Sequence, residues 1–117
     1  MKNVSVWHNP KCSKSRAALK ILEENNYEVD VVKYLETNPD ETQIKTILKM
    51  LGISPRELMR TKEEIYKELK LKDVDDDAKL IKAMAENPKL IERPVLIKNS
   101  KAIIGRPTSI IAAFLEA

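Results

Sequence analysis

Within the first 35 residues the hydrophobic pattern changes period twice, and this limits the fold more than any other feature of the chain. "VSVWH", residues 4 to 8, reads as a short strand that runs out at "NPKC". From Ser13 the pattern turns helical, with Ala18, Ile21, Leu22 and Asn25 along one face and Leu19 beside them. "VDVVKYL", residues 29 to 35, is rich in β-branched residues and reads as a second strand. Strand, helix and strand over about 30 residues is the size of a βαβ unit and requires a parallel pair. The handover from first strand to helix then falls at Cys12.

The middle of the chain reads differently. "NPDE" at 38 to 41 is a helix start in which Asn38 caps, Pro39 has a preset φ and Glu41 reaches back. Ile44, Ile47, Leu48 and Leu51 follow at helical spacing until Gly52 ends the run. "SPRE" at 54 to 57 repeats the start signal with Ser54 as cap. Leu58, Met59, Ile65, Tyr66 and Leu69 then fit one broken helix or two short ones. Acidic "DVDDD" at 73 to 77 leads to a further helix with Leu80, Ile81 and Met84 inward. Residues of about 39 to 91 are therefore a helical block. After it, "RPVLIKN" and "KAIIG" read as an antiparallel hairpin turning at "NSK". "RPTSIIAAFLEA" starts a last helix at Pro107 that buries Ile110, Ile111, Phe114 and Leu115. The order is βαβ, helical block, ββα, in an α/β chain without repeats or low-complexity linkers.

A chain of 117 residues suits a single domain spanning 1–117. It buries about 65% of its extended surface on folding, enough to stand without staples. One cysteine cannot form an internal disulfide. No apolar leader with a small-residue cleavage site is present, and no stretch approaches the roughly 18 apolar residues of a membrane span. A soluble cytoplasmic protein without membrane contact is expected. The formal charge of +3 comes from 21 basic and 18 acidic residues, too even a balance to imply nucleic-acid binding. Aromatic residues are 4% and scattered, which argues against base-stacking platforms.

The single cysteine lies in "HNPKCSKSR", residues 8 to 16, with no apolar residue within three positions on either side. A buried small hydrophobe is the ordinary role of a lone cysteine, and this polar, basic setting argues against it. Free cysteine has a pKa near ~8.5, and amides at a helix N-terminus or nearby cations lower it to ~3.5–7.5. Lys11 and Lys14 bring charge, and Ser13 and Ser15 bring hydroxyl donors. A C-x-x-C dithiol is excluded because its second position is Ser15, and a C-x₅-R loop because Arg16 comes too early. An outside thiol must therefore resolve any adduct of Cys12, with glutathione and glutaredoxin as candidates. His8, the only histidine, either holds a proton near the thiolate or orients a neighbour, or is an ordinary loop residue. One cysteine and one histidine make no zinc site, so no metal is expected. Arg60 in "LMRT", Arg93 in "ERPV" and Arg106 in "GRPT" have the planar fork suited to tetrahedral oxyanions. Spacing alone does not bring these three together.

The segments "HNPKCSKSR", "ILKMLGISPRELMRTKEEIYKELKL", "NPKLIERPVLI" and "IIGRP" span nearly the whole chain. In this order the sequence resembles the glutaredoxin-linked arsenate reductase family of the ArsC type, in particular its short bacterial YfgD-like members. The resemblance implies a thioredoxin-like fold with a mixed four-stranded sheet and a helical insertion between the halves. It implies that Cys12 is the nucleophile on arsenate, that His8 and Ser15 keep the thiol ionised, and that Arg60, Arg93 and Arg106 cradle the oxyanion. Pro94 matches a proline that is cis in thioredoxin-like folds and faces the reactive cysteine, a bond geometry rare even before proline.

By the same resemblance, glutathione is a co-substrate, glutaredoxin the second thiol donor, and no cofactor stays bound to what is expected to be a monomer. The chain stops soon after its last helix, without the longer tail of the arsenic-resistance members. All matched residues precede that point, so the chemistry is expected to survive. The substrate is then arsenate, another oxyanion or a glutathionylated protein. Two other functions fit the same fold: a glutathione-linked thiol–disulfide oxidoreductase, and a regulatory binding module like the Spx-type proteins. The three arginines argue against the first and Ser15, in place of a second thiol, against the second.

Overall fold

A computed structural model describes residues 3–116. The chain divides into two compact units, one of residues 1–37 with 93–117 and the other of residues 38–92.

The first unit is built on four strands: β1 (Asn3–Trp7), β2 (Glu28–Val32), β3 (Val95–Lys98) and β4 (Lys101–Ile104). They lie side by side in the order β2-β1-β3-β4. β1 pairs in parallel with β2, with Val4 opposite Val29 and Val6 opposite Val31, as a βαβ crossover requires. It pairs antiparallel with β3, which forms an antiparallel hairpin with β4. Helix α1 (Ser13–Glu24) makes the crossover, and α7 (Ile111–Glu116) closes the unit. Val4 and Val6, two residues apart on one face of the central strand, pack with Ala18 and Leu22 of α1, Leu96 of β3, and Ile111 and Leu115 of α7. Several apolar positions thus lie at periods 2 and about 3.6 because they meet in one core.

The second strand ends three residues earlier than its β-branched run suggests. Tyr34 and Leu35 belong to a single helical turn, α2 (Tyr34–Thr37), and Tyr34 is fully buried with its ring stacked on Trp7 at 6.1 Å. An aromatic residue with good strand propensity was here drawn into a helical turn by the tertiary contact. Asn25 is not on the buried face of α1. It is the C-cap, and its amide donates to the Ile21 carbonyl at 2.7 Å. In the last helix Ile110 is exposed, because Thr108–Ile110 form a separate 3₁₀ turn and the α-helical face begins at Ile111.

The second unit is helical. α3 (Glu41–Leu51) buries Ile44, Ile47 and Leu48 and ends at Gly52 with φ +68°. Its N-cap is Asp40 rather than Asn38: Asp40 Oδ1 accepts from the Gln43 N–H at 2.8 Å, and Gln43 Oε1 accepts from the Asp40 N–H at 2.9 Å. Asn38 instead has φ +48° and turns the chain before Pro39. α4 (Pro55–Leu58) begins after Ser54, whose N–H and hydroxyl both donate to Glu57 Oε1. α5 (Glu64–Glu68) is a separate short helix, and α6 (Asp77–Glu86) follows the acidic loop with Leu80, Ile81 and Met84 buried. Arg56 stitches the short pieces together, donating to the Tyr66 hydroxyl at 2.5 Å, the Leu71 carbonyl at 3.0 Å and the Val74 carbonyl. Five fixed guanidinium donors let one side chain hold partners on α5, the following 3₁₀ turn and the loop after it. Among the described residues, no helix is long and apolar enough to cross a membrane.

Gly105, just beyond β4, has no room for a side chain. A Cβ there would lie 2.9 Å from Leu96 Cδ1 and 3.1 Å from Pro94 Cγ. Its N–H donates to the Pro94 carbonyl at 2.8 Å. Gly105→Ala is expected to cost about 1–3 kcal/mol through overpacking, read as a fall of several degrees in Tm. Gly52→Ala, where nothing lies within 4 Å but φ is +68°, is expected to cost only about 1 kcal/mol. Unchanged stability of Gly105→Ala would show that Leu96 and Pro94 yield freely.

Candidate active site

β1 ends where the His8 N–H donates to the Val32 carbonyl at 2.8 Å, the last rung beside β2. The next four residues form a tight turn. The Cys12 N–H donates to the Asn9 carbonyl at 2.9 Å, and the Lys11 N–H donates to Asn9 Oδ1 at 3.0 Å. Asparagine followed by proline is a turn signal because the short amide can hold the chain two residues on. Arg16 reaches back over this turn, its Nη1 donating to the Pro10 carbonyl at 2.8 Å. The turn delivers Cys12 in extended geometry, φ −95° and ψ 122°, as the residue preceding α1.

That position decides the chemistry of the sulfur. The first amides of a helix have no carbonyl four residues earlier to bond, so they point outward as free donors. Those of Lys14 and Ser15 are directed at the Cys12 thiolate, together with the Ser15 hydroxyl and the Arg93 guanidinium. Burial pushes the thiol pKa up, and these hydrogen bonds outweigh it, the Ser15 N–H and Arg93 most strongly, bringing it down to about 7. Ser15 is itself fully buried, and its oxygen accepts from the Asn9 N–H at 3.4 Å. With a lone pair engaged there, its hydroxyl proton is free to face the sulfur. Cys12 remains partly exposed.

Arg93 precedes β3, and the Arg93–Pro94 bond is cis, as is Arg106–Pro107. Burial disfavours its charge, but hydrogen bonding to Cys12 and to the Tyr34 phenol, with the charge of each, raises its pKa overall. Its Nε is buried and has no hydrogen-bond partner among the described residues. Arg106 follows the hairpin: Val95 pairs with Ile104, and the Gly105 N–H on the Pro94 carbonyl continues the pairing past the strand ends. This register sets the backbone of Arg106 beside the Arg93–Pro94 segment.

Arg60 belongs to the helical unit. Its N–H donates to the Leu90 carbonyl at 2.7 Å, and its guanidinium bonds Glu63 and Glu92, each at 3.2 Å. His8 is 5% exposed, with Nδ1 unpartnered among the described residues. Burial, then the charges of Lys33 and Arg16, hold its pKa below the usual histidine value, so the neutral ring is favoured. It is not one of the donors that lower the Cys12 pKa. Two residues important to the geometry, Asn9 and Tyr34, carry no nucleophile, acid or base signal. Only the Asn-Pro dipeptide hinted at the first, and nothing local hinted at the second. Among the described residues, no group of three His, Cys, Asp or Glu side chains is placed to hold a metal ion.

A mixed sheet in the order β2-β1-β3-β4, a lone cysteine where β1 passes into α1, and a cis-proline before β3 define a thioredoxin-like fold. More specifically, residues 7–114 match the ArsC family, and the chain belongs to it. The uncharacterised protein YfgD of Escherichia coli K12 is 54% identical over 108 residues, covering 91% of each chain. A protein named arsenate reductase from Neisseria meningitidis is 48% identical over 118 residues, covering 98% of this chain and all of its own. The structure described as an arsenate reductase from Vibrio cholerae superimposes with a TM-score of 0.93 at 46% identity, over 96% of this chain and 97% of that one.

The thiol pKa can be read from the pH dependence of alkylation by iodoacetamide. The rate is expected to rise with pH to a midpoint about 7 and then level, as the thiolate population saturates. Arg93→Ala should move the midpoint up toward the ordinary thiol range, by more than Ser15→Ala does. The linked stability has the sign of a depressed pKa, present in full above the ordinary thiol range and lost as pH falls through about 7. An Arg93→Ala midpoint equal to that of the wild type would remove the guanidinium from this account.

Proposed function

We propose that this protein is a cytoplasmic, monomeric arsenate reductase that uses glutathione and glutaredoxin as thiol donors, with Cys12 as the nucleophile. The observation that carries this reading is the Cys12 thiolate held at a helix start against Arg93. A buried Arg93 Nε without a partner adds to it, because an unpaired buried donor costs about 1–3 kcal/mol that an oxyanion oxygen would recover. The relatives named arsenate reductase supply the substrate class.

In the proposed reaction the thiolate attacks As(V) and one arsenate oxygen leaves as water. Arg93, with Arg106 and Arg60, offsets charge on the remaining oxygens as the arsenic becomes five-coordinate. Ser15 keeps the sulfur ionised by its hydroxyl bond, and His8, a neutral ring at the end of β1, takes no part in lowering the thiol pKa. A glutathione thiol displaces a second oxygen as water. A glutaredoxin thiolate then attacks the glutathione sulfur, forming a mixed disulfide. The electron pair of the broken sulfur–arsenic bond stays on arsenic, which becomes As(III). Water releases arsenite and regenerates the Cys12 thiol. The protein binds no cofactor, nucleic acid or membrane in this scheme.

The test is NADPH consumption coupled through glutathione reductase, with arsenate, glutathione and glutaredoxin present. Cys12→Ser should fall to background while keeping its melting transition, since serine is a good N-cap. Arg93→Ala is expected to lose about 10²–10³ in kcat/KM, the usual effect of deleting one donor to a developing charge. An inactive wild type whose Cys12 still alkylates at neutral pH would keep the nucleophile and reject arsenate as its substrate.

A further inference from the structure

The parallel pairing of β1 with β2 brings both strands out at the end of the sheet where Cys12 lies. Trp7 stands opposite Val32, so His8 and Lys33 leave the sheet side by side, joined by the His8 N–H on the Val32 carbonyl at 2.8 Å. Lys33 is fixed there by its own carbonyl, which accepts from the Glu36 and Thr37 N–H groups at 2.9 and 3.1 Å as α2 begins. Arg16, in the first turn of α1, reaches back over the same corner, with Nη1 on the Pro10 carbonyl at 2.8 Å. Both side chains are exposed, and among the described residues no carboxylate forms an ion pair with either. Burial, then the charges of Lys33 and Arg16, lower the His8 pKa, so both cations stand close to that ring. Lys11 and Lys14 add exposed charge to the turn itself, and no acidic residue precedes Glu23, at the far end of α1.

The two sides of the sulfur therefore differ. On the β3 side, Arg93 bonds the thiolate directly. On the β2 side, Arg16 and Lys33 are not among the groups that lower the Cys12 pKa, so their charge serves something other than the thiolate. In the proposed reaction a second reactant must reach the sulfur while the oxyanion sits against Arg93. Glutathione carries a carboxylate at each end of its peptide with the thiol between them, and separated cations beside the nucleophile complement that pattern. We propose that Arg16 and Lys33 are the docking surface for glutathione, binding its carboxylates on the β2 side of Cys12. This rests on the reading of glutathione as a thiol donor and assigns it a place.

Oxidised glutathione puts the same tripeptide on the sulfur without arsenate. The Cys12 thiolate attacks one sulfur of the disulfide, the S–S bond breaks, and a glutathione thiolate leaves. The rate of adduct formation, followed by mass spectrometry, is compared with that of the uncharged hydroxyethyl disulfide. The ratio of the two rates cancels any change in the reactivity of the sulfur. In the wild type this ratio is expected to fall as salt is added. Lys33→Gln and Arg16→Gln should each lower it about threefold, and about tenfold together, the scale of exposed charge pairs. Arg16→Lys, which keeps the charge, should retain most of the preference. A ratio indifferent to salt, or unchanged in both glutamine variants whatever the separate rates do, would overturn the proposal. NADPH consumption with arsenate decides the reductase reading separately. Turnover by a protein whose ratio ignores both substitutions keeps the reductase and rejects this surface. A charge-dependent ratio without turnover keeps the surface and rejects arsenate as the substrate.

Discussion

Burial alone would keep the Cys12 sulfur protonated, and every other feature of the site follows from how that penalty is overcome. Two of the donors that reverse it are backbone amides, of Lys14 and Ser15. Those amides are available only because α1 starts at Ser13, and α1 starts there because the Asn9–Cys12 turn leaves Cys12 extended. The turn holds because Asn9 is bonded by its carbonyl, its side-chain oxygen and its N–H, the last to a serine inside the protein. Sulfur, serine and asparagine thus form one hydrogen-bonded unit, in which the polarity of a buried serine is used twice. An apolar residue at position 15 would pack as well and would remove both bonds.

The scaffold brings the cationic donor from far along the chain. β1 is central, so its C-terminal end has β2 on one side and β3 on the other. From the β2 side come α2 and Tyr34, stacked on Trp7. From the β3 side comes Arg93, set against both the thiolate and the Tyr34 phenol. Gly105 permits this by its missing side chain, since Pro94 and Leu96 fill the space a Cβ would need. A parallel pair and an antiparallel pair sharing one strand is the simplest way to deliver two distant segments to the same strand end.

The strands and helices were legible in the sequence wherever burial imposed a period, as in Val4 and Val6 against Ala18 and Leu22. Gly52 and Ser54 announced a helix end and a helix start because their local chemistry is unambiguous. The failures have two causes, a tertiary contact overriding local preference at Tyr34 and a local 3₁₀ turn at Ile110. Tyr34 leaves the strand pattern to stack on Trp7, and Ile110 stays exposed because the 3₁₀ turn rotates it off the buried face. At the site, Cys12 was legible from its polar surroundings. The Arg93 contact was not, because 81 residues of sequence separate it from the thiol and only the folded sheet joins them. Asn38 was the expected cap, and Asp40 takes the role instead because Gln43 completes a reciprocal pair with it.

Arg93 and Arg60 show why arginine count is a poor guide to anion affinity. Arg93 faces a sulfur and a phenol, and its Nε stays buried without a partner. Arg60 faces the carboxylates of Glu63 and Glu92, each at 3.2 Å. The first side chain gains from an added oxyanion oxygen, because a desolvated donor is then satisfied. The second must first give up charge-assisted bonds of the kind it would form. An anion therefore meets its strongest attraction beside the nucleophile, within attacking distance of the sulfur in the proposed reaction.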